Sequence, residues 1–173
     1  MEVISIYEQE AKYKEYIDNH RQNVQKAWSA MKSNSDCIKL INENLQPYSI
    51  NMINDYLIPN HDLSKYSKEE FDAYRKEFYP ISEEEKEKNK ENFNEAWKHH
   101  YHNNLHHWNW WYETNKMYDM SLMYVVEMIC DWEAMGYKFG NNSLEYYNKN
   151  KDSIHLGFLQ RQFAEALMVA LCK

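Results

Sequence analysis

The stretch HHYHNNLHHW, His99 to Trp108, holds five of the eight histidines of this 173-residue chain. Imidazole is a common metal ligand and a base that titrates near neutrality, but it is also an ordinary polar group on a helix surface. Spacing separates these uses. His20 sits in the apolar series Ile17, Val24, Ala27/Trp28, Met31. His61 lies one step of four beyond Ile50, Ile53, Leu57, and His100 follows Phe93 and Ala96/Trp97. Each series has the three-and-four spacing of one helix face. His107 is one heptad past His100, and His106 beside it can join as a pair at an expected helix start. His99 and His102 fall off that register and belong to the surface or to a supporting position. Asp131 lies in the run Ser121–Met135, whose only other charges are Glu127 and Glu133. Glu127 and Asp131 are four apart and so share a face.

Taken singly, each of these residues has a bland explanation. A histidine in an apolar stripe is more often a hydrogen-bonded core residue than a ligand. Asp131 could cap a loop or pair with a lysine. Together they would bury several imidazoles and carboxylates, each needing a partner, and one shared divalent cation satisfies them all. The mixed nitrogen and oxygen donors suit Mn, Fe, Co, Ni or Zn better than an all-oxygen calcium site. The pair His61-Asp62 adds to this reading. Neighbours on a helix point about 100° apart, but at a helix end both can flank one metal. HDLSK places Lys65 four residues after His61, where an ammonium could hold a phosphate oxygen; the plain alternative is a turn with Asp62 capping and Lys65 solvated. His155 has no stripe logic and reads as structural.

The elements that must position these residues read as helices. Gly and Pro number three each, too few for sheets and tight hairpins. The length suits one all-α domain of about six to seven helices. Helices are expected over about 5–31, 36–45, 49–58 and 154–171. Ser67 with Glu70, and Ser82 with Glu85, look like capping boxes that open two more, the second a long charged helix through SEEEKEKNKENFNEAWKHH. Its charge run is a solvated face. Ser121 should cap another helix, stopped at Gly140-Asn141-Asn142. The tryptophans of HHWNWW are expected to wedge helices together, with nucleobase stacking as the alternative.

The formal net charge of −7 and the lack of a basic block argue against polymeric nucleic acid. Cys37, Cys130 and Cys172 are odd in number and widely spaced, so neither a disulfide framework nor a zinc finger is expected. The N-terminus lacks a basic start and an apolar core, and no apolar run approaches the roughly 20 residues that span a bilayer. A cytoplasmic setting without membrane contact is expected. Nothing in the pattern sets the oligomeric state.

The order His20, His61-Asp62, Asp131 resembles the HD-domain superfamily of metal-dependent phosphohydrolases, an all-helical group named for its His-Asp pair. HDLSK is similar to the HD-plus-lysine motif of its cyclic-dinucleotide phosphodiesterase branch. The resemblance implies a single HD-type helical bundle. It also implies one divalent metal on His20, His61, Asp62 and Asp131, with His100, His106 and His107 in the interval where two-metal members add ligands. Asp62, Lys65 and Glu127 would act in the reaction, Lys65 neutralising phosphoryl charge and Glu127 orienting water or a ligand. A nucleotide or another small phosphate ester is the implied substrate. More closely, the patterns HDLSKYSKEEFDAYRKEFY, AWKHHYHNNLHHWNWW and EMICDW resemble an uncharacterised family of short phage and bacterial proteins, over about Asn19 to Gly140, with no established activity. There are departures. The intermediate histidines crowd into one stretch, and the glycine-proline loop of the cyclic-dinucleotide enzymes is absent, so the first metal carries over better than the second or any substrate.

Two other classes compete. Four-helix di-iron proteins also place His and carboxylates on facing helices, but they repeat Glu-x-x-His. Here only Glu95 with His99 and Glu127 with Asp131 come near it. A non-enzymatic metal-binding or partner-interaction protein with a structural site also fits an acidic, aromatic-rich chain.

Overall fold

The computed structural model describes residues 5–114 and 119–173. Among them it is all-helical, with no strand. Ten α-helices form, against the six to seven expected: α1 (Ile6–Ser33), α2 (Ser35–Asn44), α3 (Pro47–Met52), α4 (Ile58–Asn60), α5 (Phe71–Phe78), α6 (Glu83–Lys88), α7 (Lys90–Asn103), α8 (Leu122–Phe139), α9 (Ser143–Asn150) and α10 (Phe158–Leu171). Wide π turns occupy Ile53–Leu57 and Trp110–Thr114, and a 3-10 turn occupies Leu63–Tyr66. The extra helices have local causes. The expected third helix is split by the first π turn. The charged helix after Ser82 is broken at Asn89, whose Nδ2 donates to the Ala73 carbonyl at 2.7 Å. α9 was not expected at all.

The chain divides into two compact units, one of residues up to Asn19 with Asp62–Asn104, the other of His20–His61 with Leu105–Lys173. In the first, Tyr13 and Ile17 of α1 pack with Tyr74 of α5 and Ala96 of α7, ringed by Tyr16, Phe71, Tyr79, Phe93 and Trp97. Arg75 is fully buried, its two terminal nitrogens each 2.8 Å from a carboxylate oxygen of Glu85. Ser82 caps α6 as expected, accepting from Glu85 N at 3.1 Å, but the Glu85 carboxylate turns to Arg75 and to Ile81 N. The helix start expected at Ser67 does not form. Ser67 closes the 3-10 turn, and α5 begins at Phe71. Glu70, expected as the capping partner, is fully buried and turned elsewhere.

In the second unit α8 is the central apolar helix, packed with α9 and α10, while α10 also packs with α2. Val24, Trp28, Met31, Ile41, Ile53, Val125, Ile129 and Leu167 are among its buried residues. Gly140 ends α8 at φ 76°, the left-handed cap that favours glycine. Gly136 allows close approach, since a Cβ there would lie 2.4 Å from the Asn141 carbonyl oxygen. The Asn141-Asn142 stop also starts α9: Asn142 accepts from Glu145 N at 2.9 Å, and buried Glu133 accepts from Ser143 N at 2.9 Å. The last helix opens at Phe158 instead of Ile154. Among the described residues no helix is long and apolar enough to cross a membrane.

Candidate metal centre

Within the second unit, four stretches of chain bring imidazoles and carboxylates together. His20 comes from α1, His61 from the end of α4, and Glu127 and Asp131 from successive turns of α8. His106 comes from the loop before the second π turn, a loop tied by Trp111 Nε1 donating to the Leu105 carbonyl at 2.8 Å. His61 is the hub. Its Nδ1 is 3.0 Å from Glu127 Oε1, and its Nε2 is 3.6 Å from Asp131 Oδ1. Asp131 Oδ1 also lies 3.0 Å from His20 Nε2, and Glu127 Oε1 lies 3.3 Å from His106 Nδ1. The His61 ring centroid is 5.4 Å from that of His20 and 4.3 Å from that of His106. His61 and His106 are each 1% exposed, and His20 and Glu127 each 4%.

Local backbone explains how His61 is aimed. Pro59 has no N–H and weakens the helix end it sits in. The carbonyls left there are taken by Arg21, which follows His20 on α1: Nη2 donates to Pro59 O at 2.7 Å and Nε to His61 O at 3.0 Å. One side chain therefore ties the α1 turn bearing His20 to the backbone of His61. The next residue, Asp62, is the one non-glycine residue at positive φ among the described residues, at φ 56°, ψ 21°. Aspartate is among the few residues that tolerate this region, and such strain concentrates at functional sites. Asp62 opens the second segment of the first unit.

Burial by itself would raise the Glu127 carboxyl; the charge and hydrogen bonds of His106 and His61 outweigh it and hold it at about 2. Burial is likewise overcome at Asp131, where the nearby imidazoles of His20 at 3.0 Å and His61 at 3.6 Å hold the carboxyl well below its usual range. Both groups are carboxylates at neutral pH. Three imidazoles around buried Glu127 and partly buried Asp131 make a donor set of the kind that binds a divalent transition metal. One ligand atom each from His61, His106 and Glu127 lies within 4.8 Å of the others, so these three could hold an ion.

A second polar cluster lies in the first unit. Asp62 Oδ2 is 2.7 Å from Lys65 Nζ, and Asp62 Oδ1 is 3.3 Å from His100 Nε2. Glu70 takes His99 Nδ1 at 2.7 Å and His100 Nδ1 at 2.8 Å, one carboxylate oxygen each. Burial disfavours the charged His100 ring, but the Asp62 charge and the bonds to Asp62 and Glu70 raise its pKa overall. Asp62, Lys65 and His100 thus come together here, and His20, His61, His106, Glu127 and Asp131 in the second unit.

The heptad step from His100 to His107 is not realised. α7 ends at Asn103, so the two do not share a helix face, and His106 and His107 fall in the loop beyond. His107 is half-buried, its ring 4.2 Å from that of His106. His102 is exposed, with Nδ1 2.6 Å from the Lys98 carbonyl oxygen of its own helix. Trp108 and Trp111 pack against the core as wedges, and Tyr112 stacks on His155 at 3.9 Å. The reading of sequence missed Glu70. Its cue was the E-E-F step before α5, which looked like a cap.

Residues 9–172 match the family of unknown function DUF5662, and the chain belongs to that family. No curated protein and no solved structure matches it.

Proposed function

We propose that this chain is a metal-dependent phosphohydrolase of the HD type, acting on a nucleotide or another small phosphate ester. The observation that carries the reading is His61, buried between Glu127 and Asp131 and flanked by His20 and His106. Water is nearly excluded from His20, His61, His106 and Glu127, so their mutual electrostatics are strong. The histidines would offer neutral nitrogens and the two carboxylates would balance positive charge. When bound, a divalent Mn, Fe, Co, Ni or Zn ion supplies Lewis acidity toward a phosphoryl oxygen and acidifies water to a nucleophile. The assignment of Asp62 and Lys65 to the same chemistry rests on the HD-plus-lysine motif alone.

A metal-binding protein without turnover is the second reading. It draws on the same donor set, since His61, His106 and Glu127 can hold an ion whether or not a substrate is turned over.

The test is elemental analysis by ICP-MS of untagged protein beside His61→Ala and Glu127→Gln, each first shown folded by circular dichroism. About one or two transition-metal ions per chain are expected, lost in both variants. A phosphodiesterase and nucleotidase screen with that metal follows, and turnover abolished by His61→Ala supports the hydrolase. Metal without turnover on any phosphate ester would favour the second reading. Failure to bind Mn, Fe, Co, Ni and Zn would sink both.

A further inference from the structure

We propose that Glu70 is a positioning residue: it fixes His99 and His100 by their Nδ1 nitrogens and aims the Nε2 of His100 at Asp62. The four residues belong to one unit. The role of Glu70 at a reacting site rests on the metal-dependent reading; the geometry of the clamp does not.

Glu70 is fully buried and has neither a lysine nor an arginine within ion-pair distance among the described residues. A buried carboxylate needs donors. It finds them in two adjacent histidines, one per oxygen, at 2.7 and 2.8 Å. Both contacts use Nδ1, so each Nδ1 must carry a hydrogen. In His99 the Asn103 amide nitrogen lies 3.3 Å from Nε2 and 3.4 Å from Nδ1 but donates to the His99 carbonyl at 2.8 Å, so the tautomer there is set by Glu70. Asn104 Nδ2 also approaches His100 Nδ1, at 3.2 Å, but its two hydrogens go to Ser64 Oγ at 2.7 Å and the His100 carbonyl at 2.8 Å. It does not compete with Glu70 for the Nδ1 lone pair.

The consequence falls on His100 Nε2. With Nδ1–H committed to Glu70, the neutral ring presents a lone pair at Nε2, and Asp62 Oδ1 faces it at 3.3 Å. Two acceptors at that distance repel unless a positive charge lies between them, either a proton or a metal ion. Metal-ligating histidines characteristically donate their other N–H to a carboxylate, which sets tautomer and ring orientation. Glu70 occupies that position toward His100, and His100 with Asp62 forms the nitrogen-oxygen pair it prepares. Glutamate suits the task because each of its oxygens accepts independently. Glutamine, of the same shape, has one acceptor oxygen and can hold only one of the two Nδ1–H groups.

The experiment is long-range 15N–1H NMR of the imidazoles in the full chain at alkaline pH, with Glu70→Gln alongside, each titrated with zinc. Expected are Nδ1–H tautomers at His99 and His100 in the wild type and a zinc-induced shift of His100 Nε2. In Glu70→Gln at least one of the two Nδ1–H signatures should be lost, and the zinc response of His100 should weaken about ten-fold. The wild-type spectrum is decisive even if the variant does not fold: a His100 protonated at Nε2 with bare Nδ1 overturns the proposal. So does a folded Glu70→Gln that keeps both tautomers. Fixed tautomers in a chain that binds no zinc would sustain the role of Glu70 and remove the metal reading, whereas zinc binding with unfixed tautomers would do the reverse.

Discussion

Arg21 holds His61 by its backbone: the Arg21 Nε donates to the His61 carbonyl at 3.0 Å while Nη2 takes Pro59 O at 2.7 Å. Lysine has one nitrogen and cannot span both carbonyls. Arg21→Lys should therefore leave helical circular dichroism intact and weaken zinc binding by about ten-fold, the usual scale for groups that orient a ligand. Calorimetric titration measures it; equal affinities would mean that the turn at His61 holds itself.

Acid should act on the metal-stripped chain through Glu127. Its carboxyl is depressed from 4.5 to about 2 in the folded state, so it binds fewer protons folded than unfolded. The stabilisation is full above the unfolded value and is lost as pH falls toward the folded one. The melting-temperature gap between wild type and Glu127→Gln should be constant at neutral pH and close as pH drops through that window. A gap that does not change with pH would show that Glu127 carries no charge in its pairing.

The fork between buried Arg75 and partly buried Glu85 predicts a large stability effect within the first unit. Arg75→Met removes the cation that satisfies Glu85 at 2.8 Å on both oxygens. Breaking a buried pair from one side costs about 3 kcal/mol. Urea unfolding would report it, and a loss under about 1 kcal/mol would place the fork in the class of surface pairs.

Gly136→Ala forces a Cβ to within 2.4 Å of the Asn141 carbonyl oxygen, a backbone atom that cannot swing away. We expect destabilisation of about 2 kcal/mol, in the range for overpacking. Gly140→Ala meets no neighbour but sits at φ 76°, and about 1 kcal/mol is expected from the left-handed backbone alone. Thermal melts of the two variants should rank them in that order.

His102→Ala is the control among the crowded histidines. The side chain is exposed and bonded within its own helix, to the Lys98 carbonyl oxygen. Metal content by ICP-MS and zinc affinity should both equal wild type, whereas His106→Ala should lower both. Equal losses in the two would mean that the run binds as an undifferentiated tract.

The chain's own pattern determined that it is helical, because three-and-four spacing with almost no Gly or Pro admits little else. It also put His20, His61 and Asp131 on inward faces, since a polar residue within an apolar stripe is carried inward with its neighbours. Local chemistry decided single ends: Ser82 and Gly140 act where their types predicted. Sequence could not say where a helix yields to tertiary demand. The break at Asn89 follows from a bond to Ala73, sixteen residues away, and the π turn precedes a helix end tied to Arg21. Nor could it say that α7 ends at Asn103, before His107, and that the loop beyond brings His106 to Glu127. Glu70 shows the same limit. Its type and spacing announced a cap, but a buried carboxylate goes to the strongest donors within reach, and only the folded chain placed two imidazoles there.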